Sequence, residues 1–202
     1  SLVCSVIKKR LLFMIKSVIA GAVAMAVVSF GANAADTVAP SQGAGQVNFK
    51  GTVIDAPCGI ETQSANQTID FGQISKLFLE NGGTTQPKDL DIKLVNCDIT
   101  NFKNATGGAP KTGTVSLTFA GVPAGNASDM LKTVGETNTA IVVLNPHGSR
   151  VKFDGKTPTG SSNLIDGDNT IHFTAFVKKD DGNAPVKEGA FSAVANFNLT
   201  YQ

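Results

Sequence analysis

The sequence has 202 residues, 16% of them charged and 42% hydrophobic, with no Trp, one Tyr, 12 Phe and 21 Gly. That balance is too apolar for a disordered chain, and too rich in Gly, Thr and Asn for a helix bundle. A formal charge of +1 leaves no electrostatic footprint for nucleic acid, and two His with three Cys are poor material for a multi-ligand metal site.

The first segment reads as a removable leader. Lys8-Lys9-Arg10 and Lys16 precede an uncharged run from Val18 to Val28, and Ala32-Asn33-Ala34 supplies a small-residue cleavage pattern. Lys16 holds the apolar stretch to about 14 residues, short of the ~20 that span a bilayer. Residues 1–34 are therefore expected to be a secretory signal peptide. Residues 1–13 look like an upstream over-extension, with Met14 as the start. Without Lys8, Lys9, Arg10, Lys16 and Cys4, the 17 basic residues fall to 13 against 16 acidic, and Cys58 and Cys97 remain. An even pair in an exported chain predicts one disulfide, worth roughly 4 kcal/mol for a loop of about 40 residues.

From Ala35 to Phe49 the chain is a short arm of small residues, followed by one domain over residues 50–202 with no internal repeat. Gly82-Gly83, Gly107-Gly108-Ala109-Pro110, Asn145-Pro146, Thr157-Pro158-Thr159-Gly160 and Asp180-Asp181-Gly182-Asn183 read as turns. Between the turns, β-rich segments are expected at Val47–Ile54, Thr68–Phe71, Leu90–Val95, Thr114–Phe119, Ala140–Leu144, Val151–Phe153, Thr170–Lys178 and Phe191–Tyr201. Ser75–Glu80 suits a short helical turn. Many short strands at this spacing predict an all-β sandwich.

The last segment has the clearest alternation. Phe191, Ala193, Ala195, Phe197, Leu199 and Tyr201 share one parity, and Ser192, Asn196, Asn198 and Thr200 the other, with Val194 as an exception. No later strand is expected to pair with its free edge, and a long apolar edge is an aggregation hazard unless something covers it. The arm is the complementary problem, a β-like segment that cannot build a core alone. The arm of one molecule lying on the free edge of the next would solve both, by a heterologous contact that propagates as a filament.

Catalytic readings find little support. His147 follows Asn145-Pro146 in a loop, and His172 sits on the polar parity of a strand. No G-x-S-x-G, P-loop or dinucleotide fingerprint is present. Asp166-Gly167-Asp168-Asn169 is acidic, but reads as a turn before a strand rather than a calcium loop. Asn66, Asn104, Asn126 and Asn198 head Asn-x-Ser/Thr triplets, which would be glycosylation acceptors only in a eukaryotic secretory route.

The segments Phe49–Cys58 and Leu90–Thr100, the leader from Met14 to Phe30, and the ending Glu188–Gln202 carry a resemblance that covers nearly all of the mature chain. With Gly189 fourteen residues from the end and Tyr201 next to last, the sequence resembles the pilins of chaperone–usher fimbriae, most of all the Pap-type rod subunits of enterobacteria. The resemblance implies an incomplete immunoglobulin-like sandwich lacking its last strand, with a groove along Gly189, Phe191, Ala193, Ala195, Phe197, Leu199, Tyr201 and Gln202. It implies a donor arm whose Gly43, Gly45, Val47 and Phe49 face a neighbour's groove. A periplasmic chaperone would hold that groove and the carboxylate of Gln202, and an outer-membrane usher would exchange it for the next subunit's arm. The implied role is a structural rod subunit at the cell surface that supports adhesion, with neighbouring pilins as partners. It implies no enzyme activity, cofactor, metal, nucleic acid or small-molecule substrate. A minor or adaptor pilin, or a tip-associated binding subunit, is the alternative.

Overall fold

The computed structural model describes residue 43 and residues 45–202. The leader (1–34), its start at Met14, Cys4 and most of the arm before Gly45 lie outside the described residues. The chain divides into one unit ending at Gly51 and another spanning Thr52–Gln202. The second holds two antiparallel sheets. One has the order β1 (Gly59–Ile60), β2 (Lys88–Cys97), β7 (Gly167–Lys179), β5 (Thr139–Leu144), β4 (Leu131–Lys132); the other has the order β6 (Asp154–Asn163), β3 (Thr114–Ala120), β8 (Asn196–Tyr201). Three short helices, α1 (Thr62–Ala65), α2 (Lys76–Glu80) and α3 (Ile99–Asn104), fill connections.

Period-two patterning makes the sandwich. Ile92 and Leu94 on β2, Ile171, Phe173 and Ala175 on β7, and Val115, Leu117 and Phe119 on β3 are buried in one core between the sheets. Phe119 meets Phe153 and Phe173 edge-on. On β5, Val143 joins this core while Ala140 and Val142 face the opposite way, under Ala124 and Met130. Asp91 and His172 are directly opposed on the outer face of β2 and β7, with Nδ1 2.8 Å from the carboxylate. A disulfide joins the buried Cys58 and Cys97, tying the entry to β1 to the end of β2.

Both helices with side-chain caps have a clear local cause. Ser75 accepts from the Phe78 N–H at the start of α2, and Asp98 accepts from the Asn101 N–H at the start of α3. The second helix has a further cap from across the molecule. Asp166 accepts from the N–H groups of Ile99 (2.6 Å) and Thr100 (3.0 Å) and from the Thr100 hydroxyl (2.5 Å). Those bonds, led by the Thr100 hydroxyl, hold its carboxyl below the usual range. The acidic turn is thus engaged in building the fold: Asp168 accepts from the Asn96 N–H, and Asn169 bonds both ways with Ile165.

Several expected elements differ. Val47–Ile54 is not a strand; the segment has no ladder partner, and Val53 is fully exposed. Thr68–Phe71 is irregular. Val151 and Phe153 are buried as their hydrophobicity demands, but the strand starts only at Asp154. Thr157–Gly160 lies inside β6 rather than in a turn. There the register against β3 shifts twice, and a bulge accommodates Pro158 within a strand. The ladder of the last segment begins at Asn196, not Phe191. Its partner β3 ends at Ala120, and the following chain turns to bond the β4 region through Lys132 N–H to Val122 C=O. Only Ser192 finds a new partner, exchanging two main-chain bonds with Val134 at 2.8 and 3.0 Å.

Two consequences can be measured. A C58A/C97A variant should lose about 4 kcal/mol of unfolding free energy in a urea titration, the chain-entropy value for a loop of this length. Asp154 accepts from the Thr157 hydroxyl, then from Thr157 N–H and Lys156 N–H, which takes its carboxyl from 3.8 to about 2. A lowered folded-state value stabilises above the unfolded value and loses that contribution as pH falls through the folded one. Asp154→Asn should therefore lower stability at neutral pH and flatten the pH dependence of unfolding between about pH 4 and pH 2.

Candidate functional site

One long flank of the sandwich is open. Among the described residues, β8 pairs with β3 on one side and with no strand on the other. The alternation of the ladder says what that edge offers. Gln202 and Thr114 exchange both main-chain bonds, at 2.9 and 3.1 Å, so Thr200, Asn198 and Asn196 are the remaining hydrogen-bonded positions toward β3. The odd-numbered residues Phe197, Leu199 and Tyr201 must then aim their N–H and C=O groups outward. Their side chains point inward and pack on the core, as do those of Ala193 and Ala195. One parity thus carries both an apolar strip and a row of free main-chain groups.

Between the sheets at this flank lies a groove of about 1320 Å³. Gly189, Phe191, Ala193, Ala195 and Phe197 line one side, and Phe119 and Phe153 its floor. Leu131, Ile141, Val143 and Ala175 of the five-stranded sheet line the other side. Leu199 and Tyr201 do not line it. There the core is closed by α3: Phe102 packs edge-on against Tyr201 at 6.5 Å, and half-burial raises the Tyr201 phenol pKa. The groove is open along Gly189–Phe197 and stops short of Leu199 and Tyr201. The Gln202 carbonyl oxygen accepts from Gly113 N–H, Thr114 N–H and the Thr112 hydroxyl, which pins the end of β8.

The sequence-predicted arm residues are exposed: Gly43 and Gly45 have open space around them, and Val47 and Phe49 are 73% and 92% accessible. At the other end of the groove, Gly189 has φ +145°, a backbone state that L side chains avoid, where the chain turns into the last segment. Gly135 passes directly against the Ala190 carbonyl, so neither position accepts a side chain easily.

Several wall residues had not been singled out from sequence. Leu79 of α2, Val177 and Val186 form a small core beside Phe71, Ile141 and Phe191. Glu80 fastens it, accepting from Lys179 Nζ at 2.6 Å and from Val186 N–H at 2.5 Å. The Lys179 hydrogen bond, then the Val186 one, lowers its carboxyl pKa. Thr133, Thr137 and Thr139 join hydroxyls in a buried cluster at the same end (Thr137 to Thr139, 2.8 Å), and Thr137 and Thr139 reach the groove surface. Their common odd parity was the available sequence signal.

A family model described as fimbrial protein matches residues 47–202. The chain is 77% identical over 189 residues to the KS71A fimbrillin of Escherichia coli, covering 94% of this chain and 100% of that one. It is 60% identical over 191 residues to the Pap fimbrial major pilin protein of Escherichia coli, again covering 94% and 100%. Among solved structures it is similar to a chain from a chaperone–usher pilus, with TM-score 0.75 and 57% identity over 80% of this chain and 98% of that one. It is also similar to the crystal structure of the P pilus rod subunit PapA, with TM-score 0.67 and 56% identity over 73% and 100%.

Glu80→Gln keeps the size of the side chain but removes the charge that holds Lys179. It should lower the urea midpoint with an unchanged slope, and raise dye binding at the groove as the Leu79 wall loosens.

Proposed function

The chain belongs to the fimbrial protein family, and from that membership and the open flank we propose how it serves as the structural major subunit of a chaperone–usher pilus rod. The observation that carries the proposal is that the apolar groove along Gly189–Phe197 runs straight into the unpaired main-chain edge of β8. The arm of a neighbouring subunit supplies the missing strand of this immunoglobulin-like sandwich.

Size complementarity selects a direction and a register. If the arm runs antiparallel to β8, Phe49 and Val47 face the small Ala193 and Ala195 where the groove is open, while Gly45 and Gly43 face the large Phe197 and Leu199 where it ends. A parallel arm would set Phe49 against Leu199, where α3 has already closed the core. Interdigitation of large against small side chains favours the first arrangement, as does the antiparallel pairing of every described strand. Burying Val47 and Phe49 contributes roughly 1.5–3 kcal/mol each, beside the main-chain bonds. A one-residue slip would turn Ala44, Gln46 and Asn48 inward instead, with no apolar gain.

The same edge suits a periplasmic chaperone that holds the subunit before assembly, followed by transfer at an outer-membrane usher. Residues 1–34 act as the export signal in this scheme, and the exported chain ends its route in a pilus on the cell surface.

Two measurements test the reading. A synthetic peptide of residues 35–49 should raise the melting temperature of an arm-deleted subunit, and the same peptide with Val47 and Phe49 changed to Asp should not. Ala195→Glu in the groove should abolish both peptide binding and incorporation into filaments. An arm-deleted subunit that is stable alone, ignores the peptide and still occupies internal positions in filaments would overturn the proposal.

A further inference from the structure

Val194 breaks the polar parity of the last segment: it borders the groove, but at 75% exposure and on the parity opposite to the core-packed Ala193 and Ala195 its side chain is turned to the outer face. The registers show what surrounds it. Val134 is opposed to Ser192, so it shares the outer face with Ser192 and lies diagonal to Val194. Lys132 bonds the Val122 carbonyl next to the Pro123–Leu131 bridge, which places Val122 opposite Lys132, on the same face as Val134. The main chain at Val194 lies against Gly121. Three valines, Val122, Val134 and Val194, thus gather at the corner where the segment leading into β8 meets the β4 edge of the five-stranded sheet, at 65%, 72% and 75% exposure. An apolar cluster left in water at the end of a binding edge suits an interaction surface.

We propose that this valine corner is a second docking surface for the donor subunit, covered by the residues that follow the donor's arm, Thr52–Ile54 of a second copy of the chain. The inference rests on the antiparallel arm reading above. With Phe49 at Ala193, the donor chain leaves the groove at the start of the last segment, next to the corner. Val53 is four residues beyond Phe49, a reach of about 13 Å at strand rise. Val53 and Ile54 are themselves apolar and exposed, at 101% and 53%. Short tethering places the two apolar surfaces side by side at high effective concentration. The contact fixes the angle between successive subunits, which a single inserted strand leaves free to swivel.

The test uses assembled filaments and a short bismaleimide cross-linker. Subunits carrying Val53→Cys with Val134→Cys, or Val53→Cys with Val194→Cys, are compared with Val53→Cys with Thr200→Cys, whose second site is at the opposite end of β8. All four sites are solvent-exposed, so folding should be preserved. The expected result is a covalent ladder from the corner pairs, with about tenfold more cross-linked subunit than from the Thr200 pair. Intact filaments with no ladder from either corner pair, or with the ladder from Thr200 instead, overturn the docking surface. Loss of filaments on arm deletion tests the underlying reading separately.

Discussion

In an extended L-peptide the side chain and the main-chain hydrogen-bonding groups alternate together with period two. On β8 that coupling places the inward side chains of Phe197, Leu199 and Tyr201 on the residues whose N–H and C=O groups point away from β3. The apolar strip and the free edge are therefore one feature. A side chain from elsewhere in the fold that filled the groove would leave the main-chain groups bare, and a loop that bonded those groups would leave the groove unfilled. Only another strand satisfies both. The strand addition proposed above rests on that constraint.

The remaining edges are blunted. β1 and β4 are two residues long. β6 is long and exposed, but its two register shifts, the turn pinned by Asp154, and Pro158 spoil it as a template. The Tyr201 end of the core is capped by α3, which Asp98 and Asp166 hold in place. The disulfide ties the first strand to the second. Among the described residues the long apolar edge that remains is that of β8, beside the groove.

The groove's walls show how unevenly the site could be read from sequence. Its β8 side was legible, because alternation over consecutive residues is a local pattern. The helical turn at Ser75–Glu80 was legible for the same reason, with a cap and an apolar face in six residues. The opposite wall was not. Leu79 and Val186 meet at Glu80 across 106 positions, and Asp166 caps a helix 67 residues earlier. No window of sequence contains both partners. Pro158 and Gly160 misled in the other direction: they mark turns in isolation, but here a bulge absorbs them into an edge strand. Val47–Ile54 has the composition of a strand and no ladder partner among the described residues, so its alternation does not become a ladder.

What the sequence determined by itself is the set of elements whose cause is local: the β class, the two-fold periodicity of the last segment, the lone cysteine pair and the small-residue arm. Tertiary structure decided which faces those elements present. It put Ala193 and Ala195 on the groove and left Leu199 and Tyr201 off it, where Phe102 of α3 packs against Tyr201. It also gathered Val122, Val134 and Val194 into one corner, because β3 ends at Ala120 and lets a distant segment take its place beside Ser192. Groove extent and adjacency depend on where other chain segments stop, and that is settled only when the sheets pack.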